Sequence, residues 1–527
     1  MTKRQGFVVG ALVLSLSGFF SKLIGAIFRI PLTNLVGSAA MGYFSSAYSV
    51  YVFLLALATS GIPTGIAAMV SKSLALNKYR DIKNIMRIAS LLFIIFSAVL
   101  TILGLIFSQQ IASLMNSKEA YYSVFNIMPA IFFIAVVSIF KGFFQGYNNM
   151  TPTAISNIIE AIVKLVAGCG IAYYMFDKGY PEEQVVGGAI MGVTLGTVCA
   201  TIFLFLRYIF RDKSYRISIP NFLADTGTPQ KVLLKEFLLM SFPIMVSSVT
   251  ANLMSAVDAF FVMNRLKGYL PIEEAKLLWG AYSNMALTIF NLPSFLIISI
   301  GVSLVPSMAA AFAMKNETRI KSTVNKALKY SSILAFACAF GLNAISERVL
   351  LLLFSGDPAG VIAARPLLEI ISFALISVGL TNVTGSILQA VGKAYLSVIS
   401  VAVGAAIKTI CTFVLVGIPE ININGAPIAT NIAYPVMMFL NIYFIYKNMH
   451  ILPNFNDVIF KPLISGAVCF TSAKLFMAFF DLFLSPKLAV LPVIILTALV
   501  YFALLLILKL VSLDEILQYF SKGKKKS

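Results

Sequence analysis

Charged side chains are scarce in this sequence of 527 residues, and their scarcity decides its class. Only 12% of the residues are charged and 59% are hydrophobic, and the mean hydropathy is +0.92. Soluble domains are about a quarter charged. The composition therefore predicts an all-α polytopic membrane protein, because helices satisfy their own backbone hydrogen bonds inside a bilayer.

Histidine and paired cysteines are also lacking. The one histidine, His450, falls in a predicted loop, which disfavours histidine-based catalysis or proton relay. The five cysteines lie in apolar segments without a CxxC pair, which argues against disulfides and a zinc site. No polar interval is long enough for a soluble domain, and no nucleotide-binding loop has the right spacing. We therefore expect a protein that is not an enzyme and that holds no cofactor or metal.

What the sequence does have is a long series of apolar segments. We predict about fourteen transmembrane helices, of which the first two cover residues 7–32 and 41–71. Most of the 40 Lys and Arg fall in the alternate loops on one side and in the basic tail. The positive-inside rule then places both termini in the cytoplasm of a bacterial cell (plasma) membrane. The excess of basic residues is explained by topology and by anionic membrane lipids, so no nucleic-acid partner is expected.

Three motifs recur in the same order in the two halves of the chain. One of them, Gln145, Ser156 and Lys164, returns at identical offsets as Gln389, Ser400 and Lys408. The second motif, Gly42-x-Phe44-Ser45, returns as Gly280-x-Tyr282-Ser283. The third is a spacing of seven residues, between Lys22 and Arg29 in the first half and between Asp258 and Arg265 in the second.

The recurrence predicts a duplicated six-helix unit, that is, two pseudo-symmetric lobes plus two C-terminal helices. The predicted domains are an N-lobe at 1–210, a cytoplasmic linker at 211–236, a C-lobe at 237–447, and two last helices with a basic cytoplasmic tail at 448–527.

The first hydrophobic segment carries two positive charges well inside it. Ser15, Gly18, Lys22, Gly25 and Arg29 share one helical face, because steps of three and four residues alternate around a 3.6-residue turn. Placing a charge near mid-membrane costs about 2.5–3.5 kcal/mol of free energy. Contact with lipid does not offset this cost, whereas the water in a cavity does. We interpret this face as the wall of a pathway for an anionic substrate, with Lys22 and Arg29 binding its headgroup.

Two further pairs of charges lie within predicted spans. Glu160 and Lys164 stand four residues apart on one helix, where they can close a structural salt bridge or contact substrate. Asp258 and Arg265 stand seven residues apart in the seventh span. We assign Lys164 and Arg265 to substrate binding and Glu160 and Asp258 to charge pairing or ion coupling. Simple neutralisation of Arg265 by Asp258 stays open.

Prolines interrupt two of the predicted spans. Gly61-Ile62-Pro63-Thr64-Gly65 falls within the second span, and Pro293 and Pro306 fall within the eighth. Proline removes a backbone hydrogen bond and clashes with the preceding helical turn. We therefore predict kinks at Pro63 and Pro293 that serve gating, although such kinks are also common in ordinary membrane helices.

The motifs around these residues resemble a known family. The segments from Gln145 to Lys164, from Asp258 to Arg265 and from Tyr282 to Pro306 are similar to the stage V sporulation protein B branch of the polysaccharide exporters. That branch belongs to the multidrug/oligosaccharidyl-lipid/polysaccharide (MOP) exporter superfamily and includes Gram-positive lipid II flippases related to MurJ-type flippases. MurJ-type members carry cations in the first span, which Lys22 and Arg29 match. They also carry arginines in spans two and eight, which this chain does not.

The resemblance implies alternating access by two lobes around a central cavity. The transported molecule would be an undecaprenyl-diphosphate-linked peptidoglycan precursor (lipid II), moved from the inner to the outer leaflet for cell-wall biogenesis and cell shape. Cell-wall synthesis enzymes are possible partners. Since no ATPase domain is present, transport would be coupled to the membrane potential or to a cation gradient.

Three alternatives remain open at this point. The first is a flippase for another undecaprenyl-linked polysaccharide unit, such as a teichoic or capsular one. A drug/cation antiporter of the same fold is disfavoured by the cationic face, because a site for organic cations needs exposed acids. A membrane-embedded enzyme is disfavoured by the short outside loops.

Overall fold

A computed structural model describes the chain except for residues 1–6, 116–117, 211–226, 298–307, 309–311, 313–316, 486 and 512–527. Most of the predicted linker, Pro306 and the basic tail lie outside the described residues. The helices of the first half are α1 (Phe7–Thr59), α2 (Ile62–Ala75), α3 (Tyr79–Ile106), α4 (Ser108–Leu114), α5 (Tyr121–Gly146), α6 (Thr151–Asp177), α7 (Glu182–Ile209), α8 (Gln230–Leu266) and α9 (Ile272–Gly280).

The second half continues in the same way. Its helices are α10 (Glu317–Leu353), α11 (Pro358–Ser372), α12 (Ala374–Ala390), α13 (Ala394–Val416), α14 (Gly425–Met449), α15 (Lys461–Phe480) and α16 (Val490–Ile507). Within the described ranges there is no β-strand, and 10 helices, or up to 11 if the bent pair α11–α12 counts as one span, are long and apolar enough to cross a membrane. The predicted all-α polytopic class is confirmed, and the total of fourteen spans stays a prediction.

The first two predicted spans form one long helical run that is interrupted at two positions. Residues Leu16–Ala75 make a single apolar stretch of 60 residues. Gly37 interrupts α1 with φ 76° and ψ 168°, a conformation open to glycine because it has no Cβ. The second break separates α1 from α2 at Gly61, where φ is 85°, and Pro63 lies in the first turn of α2. The helix is therefore broken at Gly61, just before Pro63, and not at Pro63 itself.

The eighth predicted span is irregular at a different place from the one expected. A π-helical segment, Ala281–Ala286, follows α9, and helix continues over residues 287–297, through Pro293. π-helical turns are rare in proteins, but those that occur are often located at functional sites. The irregularity in this span is thus upstream of the predicted kink, and a gating role for Pro63 or Pro293 stays a prediction.

Two compact units can be recognised from contacts along the chain. Unit 1 comprises residues 1–284 and 412–422, and unit 2 comprises residues 285–411 and 423–527. Helix α8, which the sequence assigns to the C-lobe, packs within unit 1 against α1, α2 and α3. The lobe boundaries at 1–210 and 237–447 stay a prediction.

Small residues bring α6 and α7 into close contact in unit 1. A Cβ on Gly192 would lie 2.5 Å from the Gly168 Cα, and one on Gly196 would lie 2.6 Å from the Glu160 carbonyl oxygen. The sequence has an overlapping GxxxG pattern at 188, 192 and 196, and this pattern predicts such close helix packing. The packing fixes the position of α6, which also packs against α1 and carries Lys164.

Candidate functional site

Three cations of unit 1 lie along one face of α1. They are Lys22 and Arg29 of α1 itself and Lys164 of the neighbouring helix α6. The side chain of Lys22 is exposed, and a Cβ on Gly18, one turn before it, would meet no described atom within 4 Å. A Cβ on Gly25 would lie 4.0 Å from the Lys164 ammonium of α6. Lys164 is therefore placed between Lys22 and Arg29, which stand roughly 10 Å apart along the helix at 1.5 Å per residue. The side chain of Ser15 lies outside the described part.

Aromatic rings hold two of these three cations. The Tyr48 ring centroid lies 5.6 Å from the Arg29 guanidinium carbon and 5.1 Å from the Lys164 ammonium. Phe44 lies 5.7 Å from the same guanidinium carbon, and Phe28 lies 5.2 Å from the same ammonium. A ring face attracts a cation without neutralising it. The rings therefore position the charges while leaving them able to attract an anion. No pattern in the sequence pointed to these rings.

Arg29 is further fixed by the π-helical segment. Its Nη1 donates a hydrogen bond to the Ser283 carbonyl at 3.0 Å. The next residue, Asn284, is fully buried; its amide donates to the Met41 carbonyl at 2.7 Å and accepts from the Ser45 hydroxyl at 2.9 Å. The two repeated motifs around Ser45 and Ser283 thus meet next to Arg29, a proximity that their similarity did not reveal.

The contact between these motifs is reciprocal. A Cβ on Gly42 would lie 3.3 Å from the Lys276 carbonyl oxygen, and one on Gly280 would lie 1.7 Å from the Ser38 carbonyl oxygen. Each glycine thus lies against the carbonyl four residues before the other. Such an exchange of equivalent contacts is what a two-fold relation produces, and it agrees with the pseudo-symmetry predicted from the sequence.

Lys276 of α9 connects the contact between α1 and α9 to the segment before α5. Its ammonium pairs with Glu119 at 3.2 Å and with Glu273 at 3.1 Å, and it lies 5.2 Å from the Tyr43 ring centroid. Burial by itself lowers the pKa of Lys276, but its hydrogen bonds to Tyr43, Glu273 and Glu119 prevail and raise that pKa above the ordinary value. Lys276 therefore stays charged, and this contact persists, throughout the physiological pH range.

The C-terminal part of this helical run contacts α8. A Cβ on Gly61 would lie 2.4 Å from the Ser241 carbonyl oxygen, and the Ser241 hydroxyl donates to the Gly61 carbonyl at 3.2 Å. Lys72 of α2 forms an ion pair with Glu236 of α8. Within unit 1, the run α1–α2 is therefore held to α9 near its middle, around Gly42, and to α8 nearer its C-terminal end, around Gly61 and Lys72.

Glu160 and Lys164 do not form the salt bridge that their spacing allows. Among the described residues no ion pair joins them, because Lys164 turns toward Phe28 and Tyr48. Glu160 instead interacts electrostatically with Lys141 of α5, whose ammonium donates to the Asn157 amide oxygen at 2.7 Å. Of the two alternatives left open by the sequence, the salt bridge within α6 is not formed in the described part of the chain, because neighbouring helices offer each side chain a different partner; the substrate contact of Lys164 stays a prediction.

Arg265 lies at the end of α8 and has its own partners. Its Nε donates to the Phe413 carbonyl at 3.0 Å, and its guanidinium carbon lies 4.2 Å from the Phe413 ring centroid. A Cβ on Gly417 would lie 2.2 Å from Arg265 Nη2, so the guanidinium lies directly against this glycine. None of these partners belongs to the face around Lys22, and the predicted phosphate contact of Arg265 stays untested. Asp258 is buried in α8, with 4% of its surface exposed, and its coupling role also stays a prediction.

Solved membrane transporters share this arrangement of helices. Lipid II flippase MurJ in an inward closed conformation aligns with a TM-score of 0.71 and 16% identity, over 94% of this chain and 98% of that one. An inward-facing multidrug resistance MATE family transporter of the MOP superfamily aligns with a TM-score of 0.70 and 16% identity, over 84% of this chain and 98% of that one. The chain is thus a multi-pass membrane protein with the fold of the MOP superfamily.

The sequence comparison then gives the family. A family model described as polysaccharide biosynthesis protein matches residues 7–312, more than half of the chain. The chain belongs to this family. Stage V sporulation protein B of Bacillus subtilis (strain 168) is 23% identical over 431 residues, 81% of each chain. Lipid II flippase MurJ of the same strain is 20% identical over 439 residues, 81% of this chain and 80% of that one. The resemblance drawn from the motifs is confirmed.

Proposed function

We propose that this protein is a flippase that moves an undecaprenyl-diphosphate-linked peptidoglycan precursor, lipid II, from the inner to the outer leaflet. The observation that carries the proposal is the cationic face of α1, where the exposed Lys22 is followed by Lys164 and Arg29. A diphosphate presents about two negative charges, and charge-assisted hydrogen bonds to it are roughly twice as strong as neutral ones.

The three cations suit different parts of this task. Lys22 is exposed and ends in a compact ammonium with three donors, which can follow a moving phosphate. Arg29 and Lys164 are half-buried and share Tyr48, so their positions are fixed before the substrate arrives. Preorganised charge reduces the free energy that binding would otherwise spend on ordering side chains.

Alternating access and its energy source belong to the same proposal. The contacts of α1–α2 with α9 around Gly42 and with α8 around Gly61 would open in turn. The membrane potential or a cation gradient would drive the cycle, without a cofactor. The protein would act in the bacterial plasma membrane with both termini in the cytoplasm, alongside cell-wall synthesis enzymes.

A second candidate is a flippase for another undecaprenyl-linked polysaccharide unit. The family description, polysaccharide biosynthesis protein, favours it, and the cationic face suits any lipid diphosphate. A multidrug resistance MATE family transporter has the same fold, but three cations on one face would repel a cationic drug, which disfavours a drug/cation antiporter. Nothing in the described site suggests an enzyme.

Transport by reconstituted protein tests the proposal. Proteoliposomes with fluorescent lipid II, or with an undecaprenyl-diphosphate-linked teichoic precursor, should expose substrate to an impermeant quencher only when flipping occurs. We expect Lys22→Ala to lower the rate of lipid II flipping by about tenfold or more, since one charge-assisted contact is worth about 1.5–3 kcal/mol.

The controls are a charge-conserving and a remote variant. Lys22→Arg should retain much of the rate, and Lys178→Ala, at the exposed end of α6, should match the wild type. Equal flipping by Lys22→Ala would refute the phosphate contact. Flipping of the teichoic precursor alone would establish the second candidate, and export of a cationic drug without flipping would establish an antiporter.

A further inference from the structure

An open cavity of about 1090 Å³ lies in unit 1 where α4, α5 and α7 meet. Ligand sites in proteins have volumes of roughly 300–1,000 Å³, so this cavity has room for a short oligosaccharide. The polar and aromatic groups at its edge are Gln109, Gln110, Ser113, Lys118, Glu119, Tyr121, Tyr122 and Glu183. The positive-inside rule places this end of the molecule outside the cell.

Its lining combines hydrogen-bonding groups with ring faces. The Gln109 and Gln110 amides are exposed, and among the described residues no protein hydrogen bond occupies them. Each amide offers two donors and an acceptor. Tyr122 is 40% exposed, and Leu114 beside it is 66% exposed. Sugars need both kinds of surface, because hydroxyl and acetamido groups require donors and acceptors while the C–H faces pack on aromatic rings.

The lining is held in place by neighbouring helices. A Cβ on Gly187 of α7 would lie 2.8 Å from the Tyr122 Cβ, and the Asn126 amide of α5 donates to the Gly187 carbonyl at 3.0 Å. Tyr121 packs edge-on against Tyr122, with ring centroids 5.4 Å apart. The two tyrosines are thus fixed relative to α7, which carries Glu183 into the cavity.

Charge distinguishes this cavity from the face around Lys22. Lys118 and the carboxylates of Glu119 and Glu183 all line it, and Glu119 is already paired with Lys276. Such a balanced surface does not favour a polyanion. It suits an uncharged saccharide whose acetamido groups can pair with the amides and whose methyl groups can contact Leu114.

We propose that this cavity is a binding site for a neutral, acetamido-bearing oligosaccharide on the outer side of the membrane. The bound sugar has two sources, the headgroup of the transported lipid and a free cell-wall glycan. The first rests on the proposed function. In that case the headgroup contacts two sites, with its diphosphate at the cationic face of α1 and its sugar in this cavity. Glu119 lines the cavity and pairs with Lys276 of α9.

Binding of lipid-free triacetylchitotriose to the full-length protein tests this inference. In nanodiscs free of sugar-based detergent, we expect saturation-transfer NMR signals from the acetamido methyl groups and a dissociation constant measurable by calorimetry. Tyr122→Ala, and Gln109→Ala with Gln110→Ala, should weaken binding by about fivefold or more. Tyr173→Ala, which removes another exposed tyrosine of unit 1 (65% exposed) away from the cavity, should bind as the wild type does.

Three outcomes would overturn the inference. They are an absence of binding at millimolar trisaccharide, equal weakening by Tyr173→Ala, and preferential binding of an anionic glycerol-phosphate oligomer. The flipping assay separates this inference from the proposed function, because Lys22→Ala should lose flipping and keep trisaccharide binding. Trisaccharide binding by a protein that flips no lipid would support the free-glycan source and refute the flippase. Flipping without trisaccharide binding would refute only the cavity.

Discussion

At the residue scale, Tyr48 joins two of the proposed substrate-binding cations. Its ring lies within 5.6 Å of both the Arg29 guanidinium carbon and the Lys164 ammonium. Two like charges near one another repel in a medium of low dielectric constant. A ring face between them offsets part of that repulsion, because each cation meets the negative face of the π-system.

We therefore expect Tyr48→Ala to lower the flipping rate or the thermal stability, whereas Tyr48→Phe leaves both close to the wild type. Each cation–π contact is worth about 0.5–2 kcal/mol, so the loss of two corresponds to roughly tenfold or more in rate or affinity. Flipping in proteoliposomes and thermal unfolding of the purified protein are the measurements. A phenylalanine variant as impaired as the alanine variant would show that the hydroxyl, and not the ring, matters.

At the scale of elements, the approach of α1 and α9 depends on glycine. The Cβ of an alanine at position 280 would lie 1.7 Å from the Ser38 carbonyl oxygen, far inside van der Waals contact, and backbone atoms cannot move aside cheaply. The same approach places Ser283 against Arg29 and Asn284 against Met41. Close packing of these helices is thus a condition for the geometry of the cationic face.

Gly280→Ala should accordingly lower the unfolding temperature and the flipping rate, because overpacking costs about 1–3 kcal/mol or more. Gly170→Ala on α6 is the matched control, since a Cβ there would meet no described atom within 4 Å. It should leave stability unchanged or raise it by about 0.5–1 kcal/mol, the usual preference of a helix for alanine. Equal stability of the two variants in a thermal-shift assay would contradict the close approach.

At the scale of the whole molecule, the proposed site places net positive charge within a membrane-spanning unit. A charge that crosses the membrane field gains or loses about 2.3 kcal/mol per 100 mV. Return of the emptied cationic site would therefore depend on the membrane potential, even without a bound ion.

We expect the rate of lipid II flipping in proteoliposomes to change by several-fold or more when a potential of about 100 mV is imposed with valinomycin and a potassium gradient. Sodium and proton gradients imposed separately at zero potential identify a coupled cation. Lys22→Ala, which has one charge fewer, should show a weaker dependence of its residual rate. A rate that is the same without any gradient, under the imposed potential and under each ion gradient would refute coupling to potential or ion gradients.

The sequence alone determined what depends on composition and on spacing within one helix. It gave the all-α membrane class, the family, the common face of Gly18, Lys22, Gly25 and Arg29, and the close packing at Gly192 and Gly196. These features were predictable because hydropathy and the 3.6-residue period are local properties of the chain.

Only the tertiary structure decided which distant residues meet. It placed Lys164 over Gly25 and Tyr48 and away from Glu160, gave Arg29 the Ser283 carbonyl, and placed Arg265 against Phe413. Spacing along a helix tells which residues share a face, but it does not tell which neighbouring helix that face meets. The partners are set by how helices far apart in sequence pack, and there the energies of competing contacts differ by only a few kcal/mol.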